Sequence, residues 1–134
     1  MKGARPRPRL DADNRAFWTG GAAGELRIMQ CRQCRGFLHP PRAVCRHCLS
    51  EDVAPAIVAG TGTVDSFTVN HQAWARDMEV PYVIARVALD DAPGVTLTTN
   101  IVRCEVDAVA IGDRVRVLFE EQDGIFYPLF EKAG

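Results

Sequence analysis

The amino-acid sequence predicts a mainly β protein: a short N-terminal helix, a four-cysteine zinc ribbon, then a five-stranded OB-fold barrel. Three observations carry that expectation. Two Cys-x-x-Cys pairs stand ten residues apart in the first half, at Cys31/Cys34 and Cys45/Cys48. Five segments rich in β-branched and aromatic residues fill the second half, with a short interruption after the third. Charge divides with them. Residues 1–50 hold ten Lys/Arg against three acids, a charge of +7, whereas residues 51–134 hold six against fourteen, a charge of −8. The expected organisation is a basic arm and helix over 1–23, the ribbon over 24–52 and the barrel over 53–134. A small open sandwich is the structural competitor for the last part.

Composition bounds the function classes. A chain of 134 residues that is 47% hydrophobic and 25% charged is ordinary globular material. Its length suits one domain, or two very small ones sharing a core. No apolar run approaches the ~20 residues needed to span a bilayer. Residues 1–9 are charged and no apolar stretch follows them, so they do not read as a secretory signal. The expectation is a cytoplasmic protein, in which cysteines are metal ligands before they are disulfides.

Along the chain, the alternation of Arg and Pro over residues 5–9 favours an extended, solvated arm. The alternative is an arm that orders against a partner. Asp11 or Asp13 is placed to cap a helix over Ala12–Thr19, with Gly20-Gly21 ending it. That helix carries Phe17 and Trp18, two large aromatics that must bury against this chain or another. Leu26, Ile28 and Gln30 alternate with charged or polar neighbours into Cys31, as a short strand does. The five barrel strands are expected at Thr63–Val69, Tyr82–Leu89, Val95–Val102, Arg114–Glu120 and Ile125–Phe130. Asp90–Gly94 and Gln122-Asp123-Gly124 are turns, and residues 105–113 form the weakly helical bridge that such barrels place after their third strand.

The cysteines carry the chemistry. Each Cys-x-x-Cys lets one turn present two sulfurs to one ion, and two turns complete a tetrahedron. Four thiolates select zinc or a rubredoxin-like iron, and zinc is the favoured ion at one per chain. A closed four-thiolate site leaves no open position for water or substrate, so the metal is expected to be structural. Gly36 follows the first pair, where a positive φ is expected. His39 and His47 lie near the ligands, but four cysteines already satisfy the ion. Cys104 reads as a small buried hydrophobe. Four bound thiolates and Zn²⁺ bring the basic half to about +5.

Catalytic signals are thin. The sequence holds no glycine-rich phosphate loop, nucleophile elbow or paired-carboxylate motif. His71 could serve as a base, yet no partner in the sequence identifies one. Trp74, Arg76 and Met78 occupy the loop between the first two barrel strands, a common ligand-binding loop in OB-folds. A zinc ribbon with an OB-fold is also the inventory of a nucleic-acid binder. Against that alternative, the barrel half is acidic, whereas a strand-binding groove needs positive potential.

A resemblance adds to this reading. Phe17-Trp18, Gly24–Ile28, the four cysteines with His39-Pro40-Pro41-Arg42 between them, and Ser50 carry its first part. Gly60–Val64, Ser66–Val69, Pro81-Tyr82-Val83, Thr99–Val102 and Ile111-Gly112-Asp113 carry the rest. From about Leu10 onward the chain resembles the zinc-ribbon/OB-fold acyl-CoA-associated proteins, departing slightly at Arg35 before Gly36. The resemblance implies a small accessory subunit beside a thiolase-superfamily enzyme, in a hetero-oligomer such as an aldolase, thiolase or acyltransferase complex. Some members accompany hotdog-fold enoyl-CoA hydratases. It further implies that the chain is not catalytic alone, and that it braces its partner and helps form the channel for acyl-CoA or a related acyl substrate. A coenzyme A thioester is then expected at the shared interface. Only Cys31, Cys34, Cys45 and Cys48 carry over as zinc ligands. Phe17, Trp18, His71, Trp74 and Arg76 are expected at the partner or the channel.

Overall fold

A computed structural model describes residues 5–73 and 79–133. Helix α1 runs Arg15–Thr19 and passes directly into a 3₁₀ turn over Gly20–Ala23. Among the described residues, eight strands follow: β1 Leu26–Cys31, β2 Phe37–Leu38, β3 Val53–Val58, β4 Thr61–Asn70, β5 Tyr82–Leu89, β6 Thr96–Val102, β7 Arg114–Gln122 and β8 Ile125–Lys132. The first three form an antiparallel sheet in the order β2-β1-β3. The last five close a barrel in the order β4-β5-β6-β8-β7, with a 3₁₀ turn over Val106–Ala108 in the bridge after β6.

α1 is shorter than the sequence suggests. Its N-cap is Asn14, which makes no side-chain cap bond. Asp11 Oδ1 instead accepts the amides of Asp13 and Asn14 at 2.9 and 2.8 Å, building the turn before the helix. The glycines then let the chain lie close on the barrel. A Cβ at Gly21 would stand 2.5 Å from Phe126 Cβ and 2.8 Å from the Phe119 ring.

β3 is the main departure in topology. Val53–Val58, assigned from the sequence to the barrel half, pairs along its length with β1, from Leu26↔Val58 to Cys31↔Val53. β1 needs that neighbour because β2 offers it only two residues. β1 is also two-faced. Leu26 and Ile28 pack into the barrel core, whereas Met29 and Cys31 join Leu38 and Cys45 beneath the cysteine site. Gln30 is half-buried, and its Nε2 donates to the Arg35 carbonyl.

One core therefore serves both parts of the chain. Phe17, Leu26, Ile28 and Val58 pack with Val64, Val83, Val87, Val115 and Phe130 of the barrel. The ribbon adds only a small cluster of its own, Met29, Cys31, Leu38 and Cys45 with Val53 packed against it. A smaller cluster of Ile125, Tyr127 and Leu129 takes in Leu10 and Trp18 from the first half.

The arm also differs from a solvated tail. The Gln122 side chain brackets the Arg5 backbone, accepting from its N–H and donating to its carbonyl, both at 3.1 Å. Arg5 pairs with Glu120 at 2.7 Å, donates to Asn100 Oδ1 at 2.9 Å and lies over the Tyr127 ring. The Tyr127 hydroxyl donates to the Pro6 carbonyl. The arm thus orders against its own barrel.

Candidate metal centre and the cleft beside it

Two similar turns present the sulfurs. In the first, Cys31 N donates to Gly36 O and Arg35 N to Cys31 O. In the second, Cys45 N donates to Ser50 O and Leu49 N to Cys45 O. Each turn closes through a residue with positive φ, Arg35 at 69° and Leu49 at 66°. The left-handed position expected at Gly36 therefore falls one residue earlier. Gly36 is needed for space instead, because a Cβ there would meet His47 Cδ2 at 3.0 Å and Cys34 Sγ at 3.4 Å.

The four Sγ atoms lie within 4.8 Å of one another, with Cys31–Cys48 and Cys34–Cys45 both at 3.6 Å. Zn–S bonds of about 2.3 Å in a tetrahedron put sulfurs roughly 3.8 Å apart, so the set fits zinc. Backbone amides already point at the sulfurs: Cys34 N at Cys31, Gly36 N at Cys34 and His47 N at Cys45. Such donors favour thiolates. The Cys34 amide does most to lower Cys31 to about 6, and the Cys48 amide does most to lower Cys45. The Ser50 amide works in the same direction on Cys48. Desolvation and the three neighbouring sulfurs outweigh it, and that thiol is pushed up to about 12. Without a cation, the cluster cannot carry four negative charges; zinc removes that repulsion. Neither His39 nor His47 belongs to the ligand set.

Beside the ribbon lies a cleft of about 740 Å³ between the His39–Pro41 segment, α1, β6 and β8. Phe17 and Trp18 share one wall, their rings edge to face at 4.9 Å. Phe17 is only 7% exposed, so its ring belongs to the core, whereas Trp18 is half-buried. His39 tilts against Phe17, and burial lowers its pKa, keeping the ring neutral near pH 7. Its Nδ1 is buried without a hydrogen-bond partner.

His71 is exposed just beyond β4 and is not among the cleft's lining residues. Trp74, Arg76 and Met78 lie outside the described residues. Cys104 is half-buried against the barrel core. Sequence reasoning missed Arg5, Asn100 and Tyr127 as cleft residues; the Arg-Pro arm was the only signal, and its target lies 95 residues or more away in sequence.

The fold and the metal centre define a zinc-ribbon/OB-fold protein, and comparison with known proteins agrees. Residues 18–54 match the family model of the ChsH2 rubredoxin-like zinc ribbon domain, and residues 57–120 that of the ChsH2 C-terminal OB-fold domain. The chain is 30% identical over 103 residues to a DUF35 domain-containing scaffold protein of Methanothermobacter thermautotrophicus, covering 72% of this chain and 76% of that one. It is 39% identical over 134 residues to a probable enoyl-CoA hydratase alpha subunit of Thermomonospora curvata, covering 98% of this chain but 41% of the relative. It thus spans about two-fifths of that subunit. Among solved structures it is similar to the Ltp2-ChsH2(DUF35) aldolase, with a TM-score of 0.85 and 33% identity over 96% of this chain and 100% of that one. The chain belongs to the DUF35, ChsH2-type zinc-ribbon/OB-fold family. No helix among the described residues is long and apolar enough to cross a membrane.

Proposed function

We propose that this chain is a non-catalytic accessory subunit of a thiolase-like enzyme complex acting on acyl-CoA or a related acyl substrate. The partner would be an aldolase, a thiolase or an acyltransferase, and would supply the reacting groups. This chain would brace it and contribute part of the substrate channel. The observation that carries the reading is the match, over the whole of that chain, to a protein solved as part of an Ltp2-ChsH2(DUF35) aldolase. The relative named a probable enoyl-CoA hydratase alpha subunit supports the same substrate class.

The chain's own residues supply rigidity and surface. Zinc held by Cys31, Cys34, Cys45 and Cys48 fixes the ribbon, and the shared core fixes the ribbon to the barrel. Trp18, the loop around His71, Trp74 and Arg76, and the cleft wall formed with Phe17 are the proposed partner and channel contacts. A cytoplasmic setting, where four thiolates stay reduced, suits this role. The test is reconstitution. The thiolase-fold enzyme that co-purifies with this chain should be insoluble or nearly inactive when expressed alone, and should recover activity on addition of the zinc-loaded chain. Full activity without it would remove the accessory role.

A further inference from the structure

The barrel is not fully laddered between β6 and β8. These parallel strands pair only at Ile101↔Phe130 and Val102↔Glu131. Pro128 explains why the ladder stops, since it has no N–H to donate. Its carbonyl is already taken by the Thr99 hydroxyl at 2.8 Å. β6 therefore runs from Thr96 to Thr99 with β5 on one side and, among the described residues, no strand laddered on the other. That open side is a wall of the cleft.

The hydrogen-bond phase of β6 follows from its turn. Leu89 N donates to Val95 O, so these opposed residues form a hydrogen-bonded pair. Stepping by two directs the backbone groups of Leu97 and Thr99 toward β5. The N–H and C=O groups of Thr96 and Thr98 then face the cleft, whereas the Asn100 carbonyl is directed to β8, where Ile101 pairs with Phe130, and also accepts from the Thr99 hydroxyl. Four residues of free edge, Thr96 to Thr99, measure about 13 Å, enough for one short strand. Trp18 and Tyr127 offer apolar surface to the side chains of such a strand. Arg86, exposed on β5, donates to Thr96 Oγ1 and makes no ion pair among the described residues, leaving a cation at the rim.

We propose that the cleft receives an extended, carboxylate-bearing segment of the partner enzyme, which pairs with the free edge of β6 and sets its carboxylate on Arg86. Only a polypeptide offers alternating amide donors and acceptors at the strand repeat, which is why a peptide suits this edge better than an acyl chain. The identity of the segment's owner rests on the accessory-subunit reading; the edge and its chemistry do not.

The probe is a phage-displayed random decapeptide library panned on the zinc-loaded chain. Selected peptides should carry Asp or Glu, and N-methylation at every second residue should weaken binding about tenfold while the intervening positions change it little. Arg86→Glu, an exposed change, should weaken the same peptides by about tenfold. Thr98→Pro removes a single cleft-facing N–H and should abolish binding while thermal unfolding confirms an intact fold. Failure to select any peptide, or binding indifferent to N-methylation and to Arg86→Glu, overturns the proposal. If a thiolase-fold enzyme co-purifies equally with wild type, Arg86→Glu and Thr98→Pro, docking by β6 is wrong and the accessory role stands. If no enzyme co-purifies even with wild type, the accessory reading fails and the peptides alone judge the edge.

Discussion

Trp18 meets Tyr127 at a ring-centroid distance of 5.5 Å and an interplanar angle of 67°, and through that contact α1 is fixed to β8 across the cleft. The Trp18 ring packs against both the main core and the Ile125–Leu129 cluster. Trp18→Ala should therefore destabilise the chain by about 2 kcal/mol, below the cost of deleting a fully buried ring. Urea unfolding measures it, and Trp18→Phe should restore most of the loss. The same substitution should weaken co-purification of the partner, because the half-buried ring also lines the cleft.

Metal removal should reach beyond the ribbon. Elemental analysis is expected to find about one zinc per chain. Because Leu26 and Ile28 of β1 share a core with Val64 and Phe130, chelation or Cys34→Ser should lower the stability of the barrel as well. A single unfolding transition moved down by ~10 °C or more is the expected outcome. A barrel transition left unmoved would mean that the ribbon melts independently.

The four ligands were legible because knuckle spacing alone brings two sulfurs to one side of a turn. The five barrel strands were legible too, and their observed limits differ by only a few residues. Three features were not. The pairing of Val53–Val58 with β1 depends on which exposed strand needs a neighbour, and local propensity is silent on that. The left-handed Arg35 and Leu49 carry side chains that ordinarily avoid positive φ; the turn's own hydrogen bonds, with amides aimed at sulfurs, hold them there. Arg5 finds Asn100, Glu120 and Gln122 only once the barrel has closed.

Acid should act on a specific ion pair. The Arg114 guanidinium, helped by the Thr61 hydroxyl, holds the Asp90 carboxyl at about 2. An unfolded Asp titrates near 4. The folded pKa is the lower one, so the pair's contribution is complete above about pH 4 and is lost as pH falls toward 2. Asp90→Asn should lower stability at neutral pH and flatten its fall between pH 4 and 2, as read by Tm against pH. An unchanged slope would show that the pair does not contribute.

Nucleic-acid binding should be weak. The basic residues sit in the first half while the barrel half carries −8. Single-stranded DNA should bind without sequence preference and fade steeply between about 50 and 200 mM salt, as counterion release requires. Sub-micromolar binding at physiological salt that depends on barrel residues would favour the nucleic-acid reading instead.

The most direct measurement of the central claim is mass spectrometry of what a tagged, zinc-loaded chain retains from native extract at physiological salt, followed by assay of the isolated complex. The account predicts a thiolase-fold enzyme in stoichiometric amount, active on an acyl-CoA thioester only while this chain is present. A chain that elutes alone, or with ribosomal or transcription proteins, would contradict it.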